Sequence, residues 1–104
     1  MLAKEQKLSR EEFSTLFHDG KRIHSDAFSF IYRKKTAPLP KAGVVISKKV
    51  IPGVITRNLV KRRLYNVIKN NHQYDTILLA KKGIQEKSFA ELTDAYETLL
   101  KKTK

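Results

Sequence analysis

No cysteine occurs anywhere in the 104 residues. Disulfide staples and thiolate metal sites are therefore excluded, and stability must come from an apolar core. Long apolar runs are missing too: nothing approaches the roughly 20 residues needed to cross a bilayer, and the N-terminus lacks the continuous apolar stretch of a secretory signal. A cytoplasmic protein with no membrane partner is expected. The three histidines, His18, His24 and His72, show no metal-ligand spacing. Neither an internal repeat nor a low-complexity segment is present, so the length fits one domain over residues 1–104 with one modest core.

The most informative absence is that of carboxylates. Net charge is +12, and it is unevenly placed. The 48 residues from Ala27 to Tyr74 hold eleven Lys and Arg and no Asp or Glu, whereas the segments on either side are nearly neutral. That gap argues against a protein-only nuclease, because holding catalytic metal ions takes clustered carboxylates. A charge run is ordinarily a solvated face, yet solubility is served by interspersed signs. A polyanionic partner accounts for the one-sidedness, since each phosphate met by a cation releases condensed counterions. Nucleic-acid binding is the function class these numbers favour.

What is present gives an element order. Ser9-Arg10-Glu11-Glu12 has the form of a capping box, with Leu8 and Phe13 placed as a hydrophobic staple. The spacing predicts a first helix of about two turns with Phe13, Leu16 and Phe17 on its apolar stripe, ended by a left-handed residue at Asp19-Gly20. A short strand follows over residues 21–25. A stronger one runs from Phe28 to Arg33, with Phe28, Phe30 and Tyr32 on one face, read as core, and Ser29, Ile31 and Arg33 on the other. Residues 34–42, with two prolines and three lysines, read as a loop. Gly43–Ser47 is a nearly all-apolar strand expected to be covered on both faces.

Beyond Pro52-Gly53 a helical period appears. It sends Val60, Leu64, Val67 and Ile68 inward and Asn58, Lys61, Arg62, Tyr65 and Lys69 outward, and it should end at Asn70-Asn71. Thr76–Ala80 is a buried strand stopped by Lys81-Lys82-Gly83. Ser88-Phe89-Ala90-Glu91 is a second capping box, opening a helix whose stripe is Phe89, Leu92, Tyr96, Leu99 and Leu100. Lys101, Lys102 and Lys104 read as a solvated tail. The order is αβββαβα, an α+β single-domain sandwich.

The stretch Gly43-Val44-Val45-Ile46-Ser47-Lys48-Lys49-Val50, followed by Thr56-Arg57-Asn58-Leu59-Val60-Lys61-Arg62-Arg63, resembles the bacterial ribonuclease P protein family. That family has a strand ending in S-K-K, a short loop and a helix bearing R-N-R-x-K-R. Glu12-Phe13, Leu16-Phe17, Gly20-Lys21-Arg22, Phe28 and Tyr74-Asp75 match in order as well, so the likeness spans roughly Leu8 to Lys82. The sequence departs from the pattern at Leu59, which replaces the second arginine, at Tyr65-Asn66 in place of Arg-Glu, and at Pro52-Gly53. Arg63 adds a cation beside the motif.

The resemblance implies a four-stranded sheet with a left-handed βαβ crossover, like the second domain of a small-subunit ribosomal protein. It also implies the protein subunit of ribonuclease P, a non-catalytic partner of a catalytic RNA that removes the 5′ leader of precursor tRNA. The RNA subunit would be bound by Ser47, Lys48, Lys49, Arg57, Asn58, Lys61, Arg62, Arg63 and Tyr65. The single-stranded leader would lie along Phe13, Phe17, Ile31 and Arg33, although Phe13 and Phe17 at i, i+4 spacing could equally be core. No protein-bound cofactor is implied; Mg2+ is expected on the RNA. The expected partners are the catalytic RNA and precursor tRNA, with the chain a monomer in a 1:1 ribonucleoprotein. The competing reading is a ribosomal-type RNA-binding protein with no part in tRNA processing.

Overall fold

The computed structural model describes residues 7–34, 40–70 and 74–103. Three helices and four strands follow in the order α1 (Arg10–Asp19), β1 (Lys21–His24), β2 (Phe28–Arg33), β3 (Ala42–Val45), α2 (Val54–Asn70), β4 (Asp75–Ala80) and α3 (Phe89–Lys102), with a 3₁₀ turn at Ile84–Glu86 before α3. The sheet order is β1-β2-β4-β3. Antiparallel pairing joins β1, β2 and β4, and β3 runs parallel to β4. A parallel pair needs a crossover, and α2 is that crossover.

The period of two along β2 decides which helix packs where. Phe28 and Phe30 enter the larger core with Val44 and Leu78, beneath Val60, Leu64 and Ile68 of α2 and Leu92, Tyr96 and Leu99 of α3. Ring contacts tighten it, with Phe30 at 5.1 Å from Tyr32 and 5.5 Å from Tyr96. Ile31 points the other way and joins Ile77 and Leu16 in a smaller cluster under α1. Three helices thus cover a sheet that is apolar on both sides.

Both helix starts form as expected. Ser9 Oγ accepts from the Glu12 N–H while Glu12 accepts from the Ser9 N–H, and Ser88 and Glu91 repeat the arrangement. The reciprocal bonds satisfy donors that a helix start would otherwise leave unpaired.

Several expectations are corrected. Helix α1 has 10 residues and is nearer three turns than two. Gly20 is extended, at φ −71° and ψ 155°, not left-handed. Its glycine is required for another reason: a Cβ there would stand 2.7 Å from the Leu16 carbonyl oxygen and 2.8 Å from the Ile31 side chain. Strand β3 begins one residue earlier than expected and ends at Val45, which is 38% exposed, so it is not covered on both faces. Phe89 is exposed at the first turn of α3, off the buried stripe. Lys101 and Lys102 form the last turn of α3 instead of a tail. Lys104, His72 and residues 35–39 of the predicted loop lie outside the described residues.

Candidate nucleic-acid interface

Helix α2 carries Arg57, Lys61, Arg62, Arg63 and Lys69 and no carboxylate. With Val60, Leu64, Val67 and Ile68 buried, the same period turns Asn58, Lys61, Arg62 and Lys69 to solvent. Lys48 and Lys49 are exposed on the turn between β3 and α2, and Arg63 is half-buried. The result is a cationic helix face continued by a cationic turn.

Two of the predicted interface residues make hydrogen bonds within the chain. Ser47 Oγ accepts from the Val50 N–H at 3.3 Å, and the Ser47 carbonyl accepts from Val50 and Ile51, which shapes the turn after β3. The Arg57 guanidinium donates to the carbonyls of Ile51 and Pro52 at 3.1 and 2.9 Å. These are the loop carbonyls just ahead of α2, so Arg57 fixes the direction in which the helix leaves the turn.

Tyr65 corrects the expectation that it faces outward. It is only 7% exposed and belongs to the larger core. Burial raises its hydroxyl pKa, against which a hydrogen bond with the Val44 backbone pulls it down. Tyr65 still borders a hollow of about 390 Å³, with Lys7, Asn58, Lys61 and Arg62 as the other lining residues. Lys7 Nζ stands 5.9 Å from the ring centroid, within cation–π range. Lys7 was not foreseen, because no local pattern ties residue 7 to a helix starting at 54.

On the other side of the sheet, Phe13 and Phe17 lie half-buried on α1 with centroids 6.0 Å apart and planes 22° from parallel. The Arg22 guanidinium covers the Phe17 ring at 4.5 Å and donates to the Phe17 carbonyl at 2.9 Å. Ile31 is corrected: it is fully buried beneath α1 and offers no surface to a strand of RNA. Arg33 is half-buried, its Nε donating at 3.3 Å to Asp75, a carboxylate that is itself 1% exposed. An unpaired charge buried that deeply would be costly, so Arg33 has a structural task. Beyond α1 the cross-strand row His24, Ser29, Leu79 and Val45 is partly open, with His24 Nδ1 2.8 Å from Ser29 Oγ.

The architecture defines a class: a small α+β sandwich whose crossover helix presents cations that form no ion pair among the described residues and whose opposite face carries half-exposed aromatic rings. The Ribonuclease P family description matches residues 2–104, and the chain belongs to that family. A ribonuclease P protein component of Legionella pneumophila (strain Corby) is 30% identical over 83 residues, covering 78% of this chain and 73% of the relative. One from Caldanaerobacter subterraneus is 32% identical over 98 residues, covering 89% and 84%. Among solved structures, the RNase P protein from Thermotoga maritima superposes with TM-score 0.79 at 23% identity over 92% of this chain and 96% of that one. The Staphylococcus aureus RNase P protein gives TM-score 0.77 at 20% identity, covering 93% of each. At such identities the structures speak for the fold. No helix among the described residues is long and apolar enough to cross a membrane.

Proposed function

We propose that this chain is the protein subunit of ribonuclease P, a monomer that pairs with one catalytic RNA and assists removal of the 5′ leader from precursor tRNA. The observation that carries this reading is the outward face of α2, where Lys61, Arg62 and Lys69 stand in solvent on a helix without a carboxylate. Lys48 and Lys49 on the preceding turn extend that face toward an RNA backbone. Phosphate contacts of this kind position a partner and tolerate shifts of register. Leu59 in place of a motif arginine is therefore compatible with binding.

The leader would lie beside α1, where Phe17 offers a ring already held by Arg22 and Phe13 extends the platform. Unpaired bases stack on such rings while cations follow the backbone. No side chain here is asked to do chemistry. The RNA and its own Mg2+ would cut the phosphodiester, and the protein would supply position and charge, lowering the Mg2+ needed to hold the two RNAs together.

The test is cleavage of precursor tRNA at limiting Mg2+ by a matching catalytic RNA, with and without the chain. Faster cleavage with the chain is expected, and none by rigorously RNA-free protein. Equal affinity for ribonuclease P RNA and unrelated structured RNA, with no gain in cleavage, would instead indicate a ribosomal-type binding protein.

A further inference from the structure

Helix and strand ends meet at the edge of the sheet where β1 and β4 begin and β2 finishes. There Asp19, Lys21, Tyr32, Arg33, Lys34, Tyr74 and Thr103 enclose a hollow of about 350 Å³. Tyr32 packs inward on Phe30 at 5.1 Å, which places it on the α3 side of the sheet, opposite Phe13 and Phe17. This hollow meets α1 only at its last residue, Asp19, and does not include Phe13 or Phe17.

The walls have a definite chemistry. The Tyr32 and Tyr74 rings stand 5.3 Å apart and tilted by 58°, and both residues are half-buried and line the hollow. They are held in place, Tyr32 by its stack on Phe30 and Tyr74 by its hydroxyl, which donates at 3.1 Å to the Thr103 hydroxyl oxygen, whose own proton goes to the Leu100 carbonyl at 2.6 Å. Arg33 is committed to Asp75. Lys21 and Lys34 are exposed and form no ion pair among the described residues. Among the described residues Asp19 is the single carboxylate in the lining, so the described rim is net cationic.

An acidic peptide would use the lysines and leave the rings idle; an apolar ligand would do the reverse. A nucleotide uses both, a base against aromatic faces and a phosphate on ammonium groups. We propose that this hollow is a second single-strand subsite, taking one unpaired RNA nucleotide with its base on Tyr32 and Tyr74 and its phosphate on Lys21 and Lys34. The inference rests on the RNA-binding reading above. The nucleotide comes either from a leader that passes round the end of the sheet or from an unpaired position of the catalytic RNA. Both have the same chemistry.

Photo-crosslinking of the full chain to an unstructured oligoribonucleotide carrying 4-thiouridine, followed by mapping of the modified peptides, reads the site. Adducts are expected at Tyr32 or Tyr74 as well as on α1. Lys21→Glu with Lys34→Glu, both at exposed positions, should reduce the Tyr32 and Tyr74 adducts by about fivefold or more, as loss of one stacked base implies. The α1 adducts and the circular dichroism should not change. Tyr74→Phe, which keeps the ring, should retain the adduct at this end of the sheet. Adducts confined to α1 and α2, or pocket adducts indifferent to the double reversal, overturn the proposal. A wild-type chain that takes up no RNA at all overturns the RNA-binding reading, and the subsite with it. In the assembled holoenzyme, 4-thiouridine placed in the leader or in the catalytic RNA identifies the source, and silence from both also rejects the subsite.

Discussion

Lys41 Nζ lies 2.6 Å from Glu12 Oε2, tying the start of β3 to the first turn of α1. The lysine, followed by the Ser9 N–H, pulls the Glu12 carboxyl down from 4.5 to about 2. A carboxyl depressed in the folded state stabilises above its unfolded pKa, and that contribution fades as pH falls from about 4.5 toward about 2. Both side chains are about a quarter exposed, at 24% and 29%, so the pair should contribute on the scale of a surface ion pair, about 0.5–1 kcal/mol. Glu12→Gln keeps the form of the capping box while removing the charge. Urea denaturation should show that cost at neutral pH and almost none near pH 2; an equal cost at both would mean that the charge is not what matters.

Arg57 should behave differently from the outward cations of α2. Arg57→Ala removes two charge-assisted bonds to the loop ahead of the helix and is expected to cost about 1.5–3 kcal/mol of stability. Lysine, lacking the guanidinium fork, should restore only part of it. Lys61→Ala with Arg62→Ala should leave melting almost unchanged and flatten the log–log salt dependence of RNA binding by about 0.7–0.9 for each phosphate left without its cation. Salt titration together with thermal unfolding separates the two; the reverse assignment of effects would place Arg57 at the RNA.

Phe17 is the sharper test of leader binding, because its ring is half-buried and covered by a cation. Phe17→Leu keeps most of the apolar volume above Leu16 and Ile31 while losing the flat face. Affinity of the holoenzyme for precursor tRNA should fall by about 1–3 kcal/mol, with mature tRNA little affected. Phe13→Leu should act in the same direction. Early unfolding with equal weakening toward both substrates would make the pair core residues only.

Gly20→Ala is expected to destabilise although the backbone there suits any residue. The added methyl would press on the Leu16 carbonyl, an atom of the backbone that cannot swing aside. Overpacking of this kind costs about 1–3 kcal/mol. A melting temperature at or above that of wild type would show that α1 can lift from β2 without penalty.

Element types and order were legible because local signals agreed: two capping boxes, the period of two in Phe28–Arg33 and the period of 3.6 in Val60–Ile68 all hold in the structure. What could not be read were relationships across the chain. Tyr65 falls on the polar side of the α2 wheel, yet the free edge of β3 reaches it and takes it into the core. Ile31 alternates away from the main core and so looks available, until α1 folds over it. Arg57 and Arg33 read as binding charges because sequence shows a cation and not the carbonyl or carboxylate it meets. Motif spacing marked the candidate interface helix; which of its residues are already occupied depended on tertiary contacts.

The two edges of the sheet are closed by different means. On β3, the outward Ala42 carbonyl accepts from the Leu8 N–H at 3.1 Å and the Val44 backbone engages Tyr65. On β1, Lys21, Arg22 and His24 are exposed around an outer ladder that no described residue pairs with. An incoming strand from a second copy would find one edge already taken and the other guarded by like charge, the usual defences against edge-to-edge growth. Many copies crowded along a long polyanion would be drawn close without acquiring a route to extend one another's sheets, so concentration on nucleic acid need not become aggregation.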